Sequence, residues 1–334
     1  MKTLFISIVF GLSICTLYGY PITPRPLRKL ISESEYCIAG KVVDIKHITK
    51  TRYYSRSFWR KPQSYQQDDY YAQIVVTETL QGTIISKDTI YVSFEPNVIC
   101  PSPAMYFKDT DVLVFLDAIL QDTCYTPHAL SYGSKIISSN EELQVYKDRI
   151  REMQQILTIR DTTLQHLETL EWLIRCAENR YTRWEGVYEL SPESDFISQY
   201  DDDLSGKYIL ESAHTSYKER LYKSLIKIDT LCYADFGLMN LVLDYNPEKI
   251  KNFLKIHIDK INNHSQLWYA PDLMYRYAVL TKDDQIAFCA EELKDLLFGI
   301  HPDPKIARQI WNTFYYQVKT TLNPDNSYIF PLKN

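Results

Sequence analysis

Near residue 140 the hydrophobic pattern of the chain changes period, and this constrains its fold more than any other feature. Before that point the apolar residues come in short runs rich in Val, Ile, Thr and Tyr: "CIAGKVVDIKHI" (37–48), "YYAQIVVTETL" (70–80), "DTIYVSF" (88–94) and "DVLVFLDAI" (111–119). In the third run Ile90, Val92 and Phe94 alternate with Tyr91 and Ser93, the period of a strand with one buried face. Gly82, Pro96, Pro101, Pro103 and Asp109 punctuate the gaps. With a further short strand after Cys124, five strands in about 100 residues predict a small barrel or sandwich.

After residue 140 the spacing becomes helical. "SSNEELQVYKDRIREMQQIL" opens on a Ser/Asn cap with acids in its first turn, and Leu143, Tyr146, Ile150, Met153 and Leu157 recur every three or four residues. Further helices are expected near 162–179, 213–230, 234–244, 247–262, 267–280, 284–298 and 303–321. Pro247, Pro271, Pro302 and Pro304 fall at first-turn or boundary positions, where the missing N–H costs little. The expected fold class is α+β in two domains: a five-stranded β-domain with a flanking helix, then an all-α domain of antiparallel helix pairs, solenoid-like or an irregular bundle. The domain limits are 20–140 for the β-domain, 141–160 for a connecting helix, 161–322 for the helical domain and 323–334 for a tail.

The N-terminus, "MKTLFISIVFGLSICTLYGYP", has the basic start, apolar stretch and small residue at Gly19 of a secretory signal peptide, placed at 1–19. The apolar run is short for a bilayer span, and Ile14 before Cys15 is a poor lipid-attachment context. The expected location is therefore exported: periplasmic, cell-surface or secreted, with no transmembrane segment after cleavage. With 37 basic and 42 acidic residues the chain has no bulk positive field, which argues against a nucleic-acid partner. Beyond the leader there are six cysteines, at 37, 100, 124, 176, 232 and 289, an even number compatible with disulfides. The last three lie in helical segments, where a lone Cys packs as a small apolar residue.

The first half resembles the tissue-inhibitor-of-metalloproteinases-like family, the netrin-module type of OB barrel. The resemblance is carried over about residues 27–158 by the opener "RPLRKLISESEYC" leading into "IAGKVVDIK", by "AQIVVTETLQG" ending on a Gly turn before "DTIYVSF", and by a Cys100 segment before "FKDTDVLVFL". In the last of these, Asp109 and Thr110 stand where the family has a glycine turn. Cys124 and a helix after 140 close the unit. It implies an OB-like five-stranded barrel and a disulfide between Cys100 and Cys124. An oxidising compartment, and one strand between the two cysteines, agree with that pairing. Free thiols, a metal site or a nucleophilic cysteine remain the alternatives, although zinc would want two more ligands at short spacing and a nucleophile a paired base. The chain departs from the animal inhibitors in one respect: its expected mature start, Tyr20 or Pro21, has no cysteine, so the zinc-chelating device is missing at its expected place.

No nucleotide-binding glycine loop, H-E-x-x-H or G-x-S-x-G motif occurs beyond the leader. "DDDLSGKYILE" (201–211) approaches a calcium loop, but the closing acid, Glu211, falls one residue short of its position. "RYTRWEGVYELSP" (180–192) reads as a connection whose Trp184 anchors packing between domains. The most suggestive segment is 50–61. It holds Lys50, Arg52, Arg56, Arg60 and Lys61 together with Tyr53, Tyr54, Phe58 and Trp59, and no acid. Arg, Tyr and Trp are the types enriched at binding hot spots, and this is the 1–2 loop of the expected barrel, a usual ligand edge. The expected function is thus a non-enzymatic binding protein. It would recognise a protein or glycan partner through Arg52, Tyr53, Tyr54, Arg56, Phe58, Trp59 and Arg60, with no cofactor and no metal. Two alternatives are a protease inhibitor acting by a non-chelating surface, and an enzyme whose site lies in the helical half among acids such as Glu168, Glu171, Glu178 and Glu185.

Overall fold

The computed structural model describes residues 23–54, 63–83, 89–97, 102–119, 124–191, 208, 214–261, 264–299 and 301–320. The expected signal peptide and C-terminal tail lie outside them, as does the calcium-like loop except for Tyr208. The protein is of mixed α/β class, with a six-stranded sheet in the N-terminal half and helices in the C-terminal half. It divides into two compact units, residues 1–176 with 180–208, and 177–179 with 209–334.

The first unit opens with α1 (Leu27–Glu33), which buries Leu27, Leu30 and Ile31. Six strands follow: β1 (Tyr36–Tyr54), β2 (Gln63–Gln81), β3 (Thr89–Phe94), β4 (Asp111–Ile119), β5 (Cys124–Pro127) and β6 (Ser134–Ile137). Their order is β1-β2-β3-β5-β4-β6, and β1 also pairs with β4, from Tyr36↔Leu116 to Lys41↔Asp111. All ladders are antiparallel except β3 with β5. The expected count of five strands is thus one short. The additional strand, β6, is only four residues long and owes its place to pairing with β4 rather than to a pattern of its own.

The alternation of β3 is realised, with Ile90, Val92 and Phe94 buried. They join Ile38, Val42, Ala72, Ile74, Val112, Val114, Leu116 and Tyr125 in one core. Each Val, Leu, Ile or Phe among them contributes about 1.5–3 kcal/mol on burial. Asp109 adopts φ 67°, the left-handed conformation otherwise supplied by glycine. Its N–H donates to the Val42 carbonyl at 2.8 Å, while the Val42 N–H donates to Thr110 at 2.9 Å, so the turn fastens β1 to the start of β4.

α2 (Asn140–Leu157) starts as its cap predicts: Ser139 accepts from the Glu142 N–H, and Glu141 and Glu142 occupy the first turn. Its buried face is Tyr146, Ile150, Met153 and Ile156. Leu157, expected there, is exposed. Glu78 on β2 ties the helix to the sheet by accepting from Lys147 at 2.6 Å and Arg151 at 2.7 Å. α3 (Thr162–Glu178) and α4 (Arg183–Leu190) follow.

The second unit contains α5 (Thr215–Leu225), α6 (Tyr233–Val242), α7 (Pro247–Lys260), a 3₁₀ turn at His264–Tyr269, α8 (Ala270–Thr281), α9 (Asp284–Phe298) and α10 (Pro304–Thr320). Pro247 and Pro271 lie in the first turns of α7 and α8, as their lack of an N–H allows. Neighbours in sequence pack together: α5 on α6, α7 on α8, α8 on α9 and α9 on α10. α10 also reaches α7. No helix among the described residues is long and apolar enough to cross a membrane.

Candidate binding surface

The β1–β2 hairpin outruns its sheet. β3 pairs with β2 only from Tyr70 to Val75, and β4 pairs with β1 only as far as Lys41. Ile48 through Tyr54 therefore pair with Asp69 through Gln63 and, among the described residues, with no other strand. At about 3.4 Å per residue, these seven pairs make a two-stranded ribbon roughly 20 Å long. The sequence pattern shows β1 only as far as residue 48, because beyond it the apolar alternation stops and no core is left to demand one.

An isolated two-stranded ribbon is marginal, so its cross-strand pairs matter. Their register places Ile48, Lys50 and Arg52 on one face with Asp69, Gln67 and Tyr65. On that face Lys50 pairs with Asp69 at 2.7 Å, and the Arg52 Nε donates to the Gln67 amide oxygen at 3.1 Å. Ile48 and Tyr65 are exposed there. On the other face Thr49 donates to Asp68 at 2.7 Å, and His47, 2.9 Å from the same carboxylate, stacks on Tyr70. The hydroxyl of Thr49, then His47, hold the Asp68 carboxyl below its usual range. The hydrogen bond from Lys50 to Asp69, then the Tyr71 phenol, raise the ammonium of Lys50. The carboxylates thus answer the cations at the base of the ribbon, whereas Arg52, farther out, is answered by a neutral amide.

Of the residues singled out in the sequence, Arg52 sits exposed on β1, and Tyr53 and Tyr54 belong to the backbone of the same strand. Arg56, Phe58, Trp59 and Arg60 lie outside the described residues. Cys124 is a half-buried free thiol on β5, and Cys100 lies outside the described residues.

The segment read as a connection around Trp184 is a helix, α4, buried at seven of its eight positions. Trp184 stacks between Tyr132, from the expected β-domain, and Tyr188, all within the first unit. The helix carries two carboxylates, Glu185 and Glu189, one turn apart and each about 2 % exposed or less. Glu185 accepts from the Leu27 N–H at 2.7 Å, one of the orphan donors that open α1, and from Lys135 at 2.6 Å. Glu189 accepts from the Arg28 Nε at 2.7 Å. Burial pushes the Glu189 carboxyl above its usual range, and the Arg28 charge opposes that rise. This network fastens α1 to α4. Sequence reasoning missed Glu189, because nothing local to "RWEGVYEL" says that its partner is Arg28.

The other acids considered for catalysis are held by cations or line an open cleft. Glu178 receives two bonds of 2.8 Å from Arg220, and Glu171 lies 3.8 Å from Arg175. Glu168 lines a cleft of about 330 Å³ with Glu152, Ile156, Leu164 and Arg175, between α2 and α3. No family model matches the chain, and no curated protein matches it significantly. Among the described residues no group of three or more His, Cys, Asp or Glu side chains is placed to hold a metal ion.

Proposed function

We propose that this is an exported, non-enzymatic binding protein that engages a protein or glycan partner through the β1–β2 ribbon. The observation that carries the proposal is the ribbon itself. Two strands continue for seven pairs past the sheet, with both edges open among the described residues. Their one face offers Lys50, Arg52, Ile48 and Tyr65 to solvent. A ribbon that buries no core costs chain entropy without a folding return, so a binding role is its simplest use. In the sequence, Arg56, Phe58, Trp59, Arg60 and Lys61 fall between the two strands.

The strand order supports an OB-like reading of the β-domain, since β1-β2-β3-β5-β4 returns to β1 and β3 runs parallel to β5. A closed OB-like barrel is therefore part of this proposal, as is the resemblance to the netrin module. A barrel of this kind hosts many functions, so the function rests on the ribbon and not on the fold. Cys124 is a free thiol in the structure, so the Cys100–Cys124 staple that the resemblance implies is not part of this proposal.

The functional test uses residues 20–334 as bait against exported proteins and surface glycans. It is run beside a variant in which Tyr53, Tyr54, Phe58 and Trp59 are changed to Ser. Retention by the first and loss by the second supports the proposal, and equal capture overturns it. Inhibition of exported metalloproteases would instead favour the inhibitor reading.

A further inference from the structure

The second unit contains a pocket of about 190 Å³ that the ribbon does not involve. Its walls come from three places: Asp229 in the loop after α5, His257, Lys260 and Ile261 at the end of α7, and Tyr269 and Leu273 around the start of α8. Leu273 and Ile261 are buried and form an apolar floor with the Tyr269 ring. The size is that of a one-ring molecule, since an apolar cavity of about 150 Å³ accepts benzene.

The polar groups are few and asymmetric. The His257 ring is 4 % exposed, lies against Phe253 at 4.4 Å and is hydrogen-bonded to the Ile228 backbone. Burial, then the neighbouring charge of Lys260, lower its pKa, so at neutral pH it is an uncharged wall. Lys260 lays its stem along the pocket and brings an ammonium to the mouth, where it donates to the Asp229 carboxylate at 2.6 Å and to the Asp229 carbonyl at 2.7 Å. The Asp229 side chain is 91 % exposed, and the ion pair it makes is a surface one that contributes little and opens readily. A competing carboxylate held by an apolar body in the pocket can take the place of Asp229 at Lys260.

We infer that this pocket binds a compact, mainly apolar monocarboxylate, its body on Leu273, Ile261 and Tyr269 and its carboxylate on Lys260. The inference goes beyond the ribbon and stands or falls without it. It depends on one cation at the mouth, a neutral His257 wall and a displaceable internal anion.

Phenylacetate is the probe. It is titrated into the full chain and followed by the imidazole resonances of His257, with phenethylamine and 2-phenylethanol in parallel. Saturable binding of phenylacetate, at least tenfold tighter than either analogue, is expected. Lys260→Met should weaken it about tenfold or more, as loss of a charge-assisted hydrogen bond does. Asp229→Asn should strengthen it several-fold by removing the competitor. Both positions are at the surface, so folding is not at stake. Absence of saturable phenylacetate binding, equal or tighter binding of the amine, or an affinity unmoved by Lys260→Met would each overturn the inference.

Discussion

Arg28 and Glu189 meet across 161 positions of sequence, the guanidinium on the first helix and the carboxylate, 1 % exposed, on α4. A buried pair of this kind is expensive to break from one side, because the remaining charge stays in a dry place. Arg28→Met should therefore cost about 3–5 kcal/mol in urea unfolding. The double variant Arg28→Met with Glu189→Leu should recover most of the loss, since an apolar pair of similar volume is often neutral or better. A double variant no more stable than the single one would show that the pair is not coupled.

Gly40 lies at a register shift of β1, and a methyl group there would stand 2.6 Å from both the Ile74 side chain and the Val75 carbonyl oxygen. The backbone of β2 cannot yield to it without disturbing the core. Gly40→Ala should destabilise the first unit by about 1–3 kcal/mol, the range of core overpacking. A thermal midpoint equal to that of the parent would contradict this local geometry.

The cysteines differ in exposure and so in reactivity. Burial raises the thiol pKa of Cys37 and, far above its ordinary value, that of Cys176. Cys232 is exposed, with its thiol raised first by partial burial and then by Asp235. An alkylating reagent at neutral pH should label Cys232 first and leave Cys37 and Cys176 until the protein unfolds. Peptide mapping at successive times reads the order, and early labelling of Cys37 would be inconsistent with its place in the core.

His257 makes part of the stability depend on pH. Its folded pKa is depressed below 6.5 by burial and then by Lys260. The groups facing it include Lys260, Asp229 and Asp235. The folded state therefore binds fewer protons here than the unfolded one, so the contribution is full above about pH 6.5 and is lost as pH falls below it. Urea midpoints should fall from about pH 7 to about pH 5, and less steeply for His257→Gln. An equal slope in both proteins would remove His257 from the account.

The order of elements was largely legible in the sequence, because two periods, a Ser139 cap and well-placed prolines write it locally. The turn at Asp109 and Thr110 was legible from the resemblance, but its left-handed backbone was not. The features that were not legible depend on distant partners. Ser134–Ile137 becomes a strand only against β4, and "RWEGVYEL" becomes a buried helix only because Arg28, Leu27 and Lys135 receive its acids. The cationic hairpin could be picked out by composition, but its length could not, since the ribbon past His47 has no apolar alternation to announce it. The pocket beside His257 was missed because its walls are gathered from three separated segments.

The central claim is that the ribbon past His47 serves binding and not folding. Replacing residues 48–69 by an Asn-Gly turn joins His47 to Tyr70, which already stand opposite each other in the ladder. The thermal midpoint and partner capture of this shortened chain should be measured together. The account predicts a midpoint close to that of the full protein and complete loss of the partner. A partner retained by the shortened chain, or a β-domain that no longer folds, would contradict it.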